Sequence, residues 1–124
     1  MAGEDDRLTP TSLFEGSADG LALYLAVEDA VAAVGEAEVR ATKSQIAFRR
    51  RKGFAYVWRP GQYVKSEVPA VLSIALPHQV ASDRFKEVAH PSAKVWMHHI
   101  ELRNTAQVDE EVRAWLIEAY QNAG

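Results

Sequence analysis

No cysteine occurs among the 124 residues, which removes disulfides, thiolate metal ligands and a cysteine nucleophile together and fits a reducing compartment. No apolar run approaches the roughly 18 residues of a membrane span. The start, MAGEDDRLTPTS, lacks the basic and apolar segments of a secretory signal. These absences predict a cytoplasmic protein. Catalytic signatures are missing too: there is no Gly-rich phosphate loop, no Ser in a nucleophile elbow, no HExxH, and no Asp followed by a Glu-x-Lys pair. The expectation is a protein that is not an enzyme, with no cofactor and no metal. The most informative gap is local. Between Arg40 and Ser66 there is not one Asp or Glu, while Arg40, Lys43, Arg49, Arg50, Arg51, Lys52, Arg59 and Lys65 all fall there. Most of the 14 cations thus sit in one block of a chain whose net charge is -3.

What is present suits one globular domain. A chain that is 48% hydrophobic and 25% charged lies in the folded range, and this length buries about two thirds of the unfolded surface without staples. Residues 1–11 are polar, carry Gly3 and Pro10, and predict a disordered leader; residues 12–124 predict a single domain. From Ser17 or Asp19 to Val34, Leu21, Tyr24, Leu25, Val31 and Val34 recur at the helical period, with Gly35 suited to the end. Glu38 to Thr42 reads as a first strand or the entry to one. Gln45 to Arg50 and Phe54 to Trp58 alternate at the strand period and form a hairpin turning at Arg51, Lys52 and Gly53, with Phe54, Tyr56 and Trp58 on one face and Ala55 and Val57 on the other. Val71 to Leu76 is apolar on both faces, which predicts a central or doubly covered strand. The segment from His78 to Ser92 predicts only one helical turn near Asp83 to Val88. A last strand, from Lys94 or Val95 to Arg103, turns Trp96, His98, Ile100 and Leu102 inward. A helix from Val108 to about Asn122 carries the stripe Val112, Trp115, Leu116, Ala119 and Tyr120, with Asp109 as its cap. The fold class that follows is α+β: two layers, an antiparallel sheet of four to five strands, and N-terminal and C-terminal helices packed on one face.

The strings KSQIAFRRRKGFAYVWRP, VLSIALP, VWMHHIELRN and VDEEVRAWLIEAY, in that order, resemble an uncharacterised bacterial family catalogued as a domain of unknown function and sometimes labelled a predicted transport protein. The resemblance covers roughly residues 12 to 122 and implies one whole domain, of a kind found alone or as a tail on larger proteins. The last strand and helix are similar, at the level of pattern, to the YjbR family, which implies a frataxin-like fold and a double-wing DNA-binding surface.

Clustered cations beside rings have a physical route to nucleic acid, through counterion release at phosphates and stacking on unpaired bases. On that reading Lys43, Arg49, Arg50, Arg51, Lys52 and Arg59 contact an anion and Tyr56 and Trp58 contact bases. The competing reading makes the rings core residues and the turn a solvated loop. Adjacent strand residues point to opposite faces, so His98 and His99 cannot chelate one ion together. His98 reads as a buried, hydrogen-bonded histidine, with a ligand contact as the alternative for His98, His99 and Arg84. The function expected is a noncatalytic binding module whose basic, aromatic hairpin meets an anionic partner, nucleic acid foremost. The alternative is a domain binding a protein or a small anion. No membrane partner is expected, and homodimerisation is left open.

Overall fold

The computed structural model describes residues 9–60 and 66–124. Residues 1–8 of the expected leader, and Tyr63 and Lys65 of the basic block, lie outside the described residues. Thr9 caps a short helix, α1 (Pro10–Leu13), its hydroxyl accepting from the Ser12 N–H at 3.1 Å. Helix α2 (Ala18–Val34) starts at Ser17, whose side chain accepts from the Gly20 N–H. It buries Leu23, Tyr24, Val27, Ala30 and Val31, a stripe at spacings of one, three and four. Tyr24 stacks between Phe14 and Phe48 and donates its hydroxyl to Glu28 at 2.7 Å. Burial first, then that carboxylate, pushes its pKa upward.

Six strands follow: β1 (Glu38–Ala41), β2 (Gln45–Arg49), β3 (Gly53–Trp58), β4 (Ala70–Leu76), β5 (Glu87–Ser92) and β6 (Val95–Leu102). They form one antiparallel sheet in the order β1-β2-β3-β4-β6-β5. After a 3-10 turn at Thr105–Gln107, helix α3 (Glu110–Asn122) begins at Asp109, whose carboxylate accepts from the Val112 N–H at 3.2 Å. Six strands replace the expected four to five, because β1 is a full strand and β5 was hidden. The sequence of β5, EVAHPS, does not alternate and contains Pro91. A proline survives in a strand only where its missing N–H faces no partner, and β5 is an edge.

Register assigns the two faces. Val39, Phe48, Ala55, Ile74, His98 and Val88 align across the sheet on the helix-covered side, as do Ala41, Ile46, Val57, Leu72 and Ile100. Both α2 and α3 pack on that side, with Val112, Leu116 and Ala119 of α3 entering the same core. Each fully buried Leu, Ile or Val there contributes about 1.5–3 kcal/mol. The expected division of β3 is half right. Tyr56 and Trp58 share the opposite face, but Phe54 does not join them: Phe48 pairs with Ala55 and Arg49 with Gly53, so Phe54 is the unpaired residue of a bulge. It turns to the core side and meets Tyr120 edge to face at 5.6 Å.

The bulge leads into a turn that closes the end of α3. This helix has Glu110 and Glu111 in its first turn and no basic residue in its last, so its C-terminal carbonyls lack the cation that usually complements them. The β2–β3 turn provides it. Arg50 Nη1 donates to the Tyr120 carbonyl at 2.9 Å, and its guanidinium lies 4.2 Å from the Tyr120 ring centre. The Arg51 and Lys52 backbone N–H groups both donate to the Ala123 carbonyl, at 3.0 and 3.3 Å. Tyr120 in turn donates to the Glu36 carbonyl, and a Cβ on Gly35 would overlap its hydroxyl. Replacing Arg50 with Ala is expected to lower unfolding free energy in urea by about 1 kcal/mol. Arg51→Ala should stay within about 0.5 kcal/mol of the parent; equal losses would contradict the docking.

Candidate binding surface on the open sheet face

With both long helices on one side, the other side of the sheet is left bare of helices. A single register row crosses it from edge to edge: Arg40, Ala47, Tyr56, Ser73, His99 and Glu87. The next row brings Gln45, Trp58, Val71 and Glu101 together. Between them lies a shallow hollow of about 510 Å³ lined by Ser44, Gln45, Tyr56, Trp58, Ser73, Met97 and His99. Tyr56 and Trp58 are half-buried, not sealed. The Tyr56 ring leans back along β3, its hydroxyl lying over Gly53 where a Cβ would collide. Trp58 donates its indole N–H to Ser73 Oγ at 2.9 Å, Ser73 Oγ lies 2.6 Å from His99 Nδ1, and the Trp58 and His99 rings meet edge to face at 6.3 Å. Strand β4 is central as its sequence required, and on this side it is roofed by these side chains instead of a helix.

The cations divide by role. Arg49, at the end of β2, is 3.9 Å from Glu38, which Arg40 also contacts at 3.0 Å. Lys43 is exposed in the β1–β2 turn, and Arg51 and Lys52 are exposed at the tip of the β2–β3 turn. Arg50 is occupied by the end of α3. Arg59 is occupied as well: Nη1 donates to the Glu15 carbonyl at 2.8 Å and approaches that of Leu13 at 3.4 Å, tying α1 to the sheet. In both, a backbone carbonyl holds Nη1, which gives each guanidinium a structural role in the fold. Arg84 is likewise a clamp. It bonds Glu111 at 2.8 Å, Asp109 at 3.1 Å and the Gln107 carbonyl at 3.0 Å, fastening the β4–β5 loop to the start of α3. The Glu111 carboxylate foremost holds the Arg84 pKa up, while the Val112 N–H and then Arg84 hold that of Asp109 down.

The profile of a domain of unknown function, DUF5655, matches residues 11–123. The chain belongs to this family. No curated protein and no solved structure matches it. No helix among the described residues of this DUF5655 domain is long and apolar enough to cross a membrane. Among those residues no group of His, Asp and Glu is placed to hold a metal ion.

The paired histidines separate as strand geometry requires. His99 lines the hollow, and His98 is fully buried, 4.8 Å from the Phe85 ring centre. His98 Nε2 accepts from the Val80 N–H at 3.0 Å, so its proton sits on Nδ1 and is donated to the Trp96 carbonyl at 3.0 Å. It is a core group pinning the β4–β5 loop, not a ligand contact. The residues that sequence reasoning missed are Ser44, Gln45, Ser73 and Met97. Ser73 alone carried a signal, as the one polar side chain inside the run AVLSIAL.

Burial lowers the His98 pKa below the ordinary 6.5. An unfolded chain therefore takes up a proton before the native state does, and stability falls as pH drops below about 6.5 toward the folded value. His78, raised by its bond to Glu118, acts oppositely: its contribution is full below the unfolded value and lost as pH rises through the folded one. In a His78→Gln background, the urea midpoint is expected to fall on acidification below about 6.5. Adding His98→Gln should flatten that fall, and an unchanged slope would remove His98 as its source.

Proposed function

We propose that the open sheet face of this DUF5655 domain binds single-stranded nucleic acid without catalysis. The observation behind this reading is the coincidence of two half-exposed rings, Tyr56 and Trp58, on a helix-free sheet face with the basic β2–β3 turn at one end. From Gly53 to Trp58 the strand spans about 17 Å, a length over which sheet-borne rings in other proteins stack two or three bases. The similarity of the last strand and helix to the YjbR pattern points the same way by analogy.

The charge balance decides which cations serve. Arg40 and Arg49 face Glu38, yet their side chains are 59% and 34% exposed, and exposed ion pairs contribute only about 0–1 kcal/mol. A phosphate can displace such a carboxylate with little loss. Arg51 and Lys52, outside any ion pair among the described residues, extend the contact past the turn. Binding rather than turnover fits the hollow: Ser73 is 3% exposed and already receives the Trp58 N–H, so it is poorly placed as a nucleophile.

Fluorescence anisotropy with a labelled oligouridine, between about 50 and about 200 mM salt, tests this. Affinity is expected to fall steeply with salt. The variant Arg49→Ser/Arg51→Ser/Lys52→Ser should lower the salt slope by about 0.7 for every phosphate that is no longer neutralised. Trp58→Ala should cost roughly 1–3 kcal/mol of binding, both variants keeping the parent's circular dichroism. No binding of the oligonucleotide at low salt would exclude nucleic acid and favour a protein partner, and binding that ignores both salt and the triple variant would exclude the basic turn as its contact.

A further inference from the structure

The hydrogen bonds around Ser73 fix the chemistry of the hollow and not only its shape. An indole N–H can only donate, so Trp58 Nε1 must give its proton to Ser73 Oγ. Oγ has one other hydrogen-bond partner among the described residues, His99 Nδ1 at 2.6 Å. Ser73 is buried, and a buried hydroxyl proton with no acceptor costs about 1–3 kcal/mol. The hydroxyl therefore donates to Nδ1, and in the neutral imidazole the ring proton lies on Nε2. Nε2 makes no hydrogen bond to any described residue. Its cross-strand neighbour Glu87 is exposed on edge strand β5 and not bonded to it, and Glu101, two residues along, is engaged by Lys86 at 3.3 Å and Arg103 at 3.4 Å. The result is a donor without a partner among the described residues, on a ring that lines the hollow beside Trp58.

We propose that His99 is the specificity-determining residue of this face, its Nε2–H selecting a base whose pyrimidine position 4 or purine position 6 carries an oxygen in place of an amino group. This rests on the nucleic-acid reading and narrows it. Uracil and guanine carry a carbonyl at the ring position where cytosine and adenine carry an amino group. A fixed donor pairs with the first two and opposes the N–H donors of the others. The Trp58–Ser73 relay acts through the tautomer: with the proton on Nδ1, Nε2 would accept instead, and the preference would reverse.

Two measurements test it. Nitrogen NMR of the His99 imidazole in the free protein is expected to find the proton on Nε2; a dominant Nδ1–H form overturns the assignment whatever the protein binds. Oligouridine should bind about fivefold tighter than oligocytidine of equal length, the ratio that one neutral hydrogen bond supplies. In His99→Phe, which keeps a ring against Trp58, that ratio should fall to about one while binding persists, and Ser73→Ala should reduce it. A His99→Phe variant that keeps the uridine preference overturns the proposal. Equal binding of both oligonucleotides by the parent overturns the His99 role alone, whereas no binding of either overturns the nucleic-acid reading and this inference with it.

Discussion

The contact between the β2–β3 turn and the C-terminal end of α3 organises the rest of this domain. Helix α3 enters with two glutamates and leaves without a cation, so its exposed carbonyls are complemented from another part of the chain. Arg50 does this with its side chain, Arg51 and Lys52 with their backbone. Beside that contact the hairpin bulges at Phe54, which sends one ring into the core and leaves Tyr56 and Trp58 on the far face. The contact with the helix and the bulge together divide the hairpin's side chains into those that are structural and those that remain outside.

The same partition sorts the cations of a chain whose net charge is -3. The block of cations is not spent uniformly. Arg50 and Arg59 are drawn to backbone carbonyls, where they lock α3 and α1 to the sheet. Arg40 and Arg49 share one glutamate at the edge of the open face. The acidic groups are divided too: Glu87 and Glu101 stand in the rows of the open face, and Asp109 and Glu111 are engaged by Arg84 at the start of α3. A screened field over about a Debye length, roughly 10 Å in 0.1 M salt, is governed by these local neighbours and not by the total.

Much of the fold was legible because it rests on periodicity. Trp96, His98, Ile100 and Leu102 point inward as alternation required, Ser17 and Asp109 cap the long helices, and β4 lies at the centre of the sheet. What failed depends on tertiary context. Strand β5 has no apolar period because an edge strand buries little, and its Pro91 disguised it. Phe54 left its expected face through a bulge that alternation cannot foresee. The three arginines of the turn look equivalent in sequence, and only the position of α3 singles out Arg50. Arg59, read as an anion contact, and Arg84, read as a possible ligand contact, hold a carbonyl and a carboxylate 44 and 25 residues away in sequence. The Trp58–Ser73–His99 chain joins three strands and could be read only from register.

Three tryptophans offer an internal control on where binding occurs. Trp58 lies on the open face, Trp96 stacks on His90 at 3.5 Å on the opposite side of the sheet, and Trp115 packs against Phe85 beneath α3. Titrating labelled protein with oligouridine while following the three indole N–H resonances separates these locations in one experiment. The Trp58 signal is expected to move in proportion to occupancy while those of Trp96 and Trp115 stay in place. A shift confined to Trp96 or Trp115, with Trp58 unmoved at saturation, would show that the open face is not where the oligonucleotide binds.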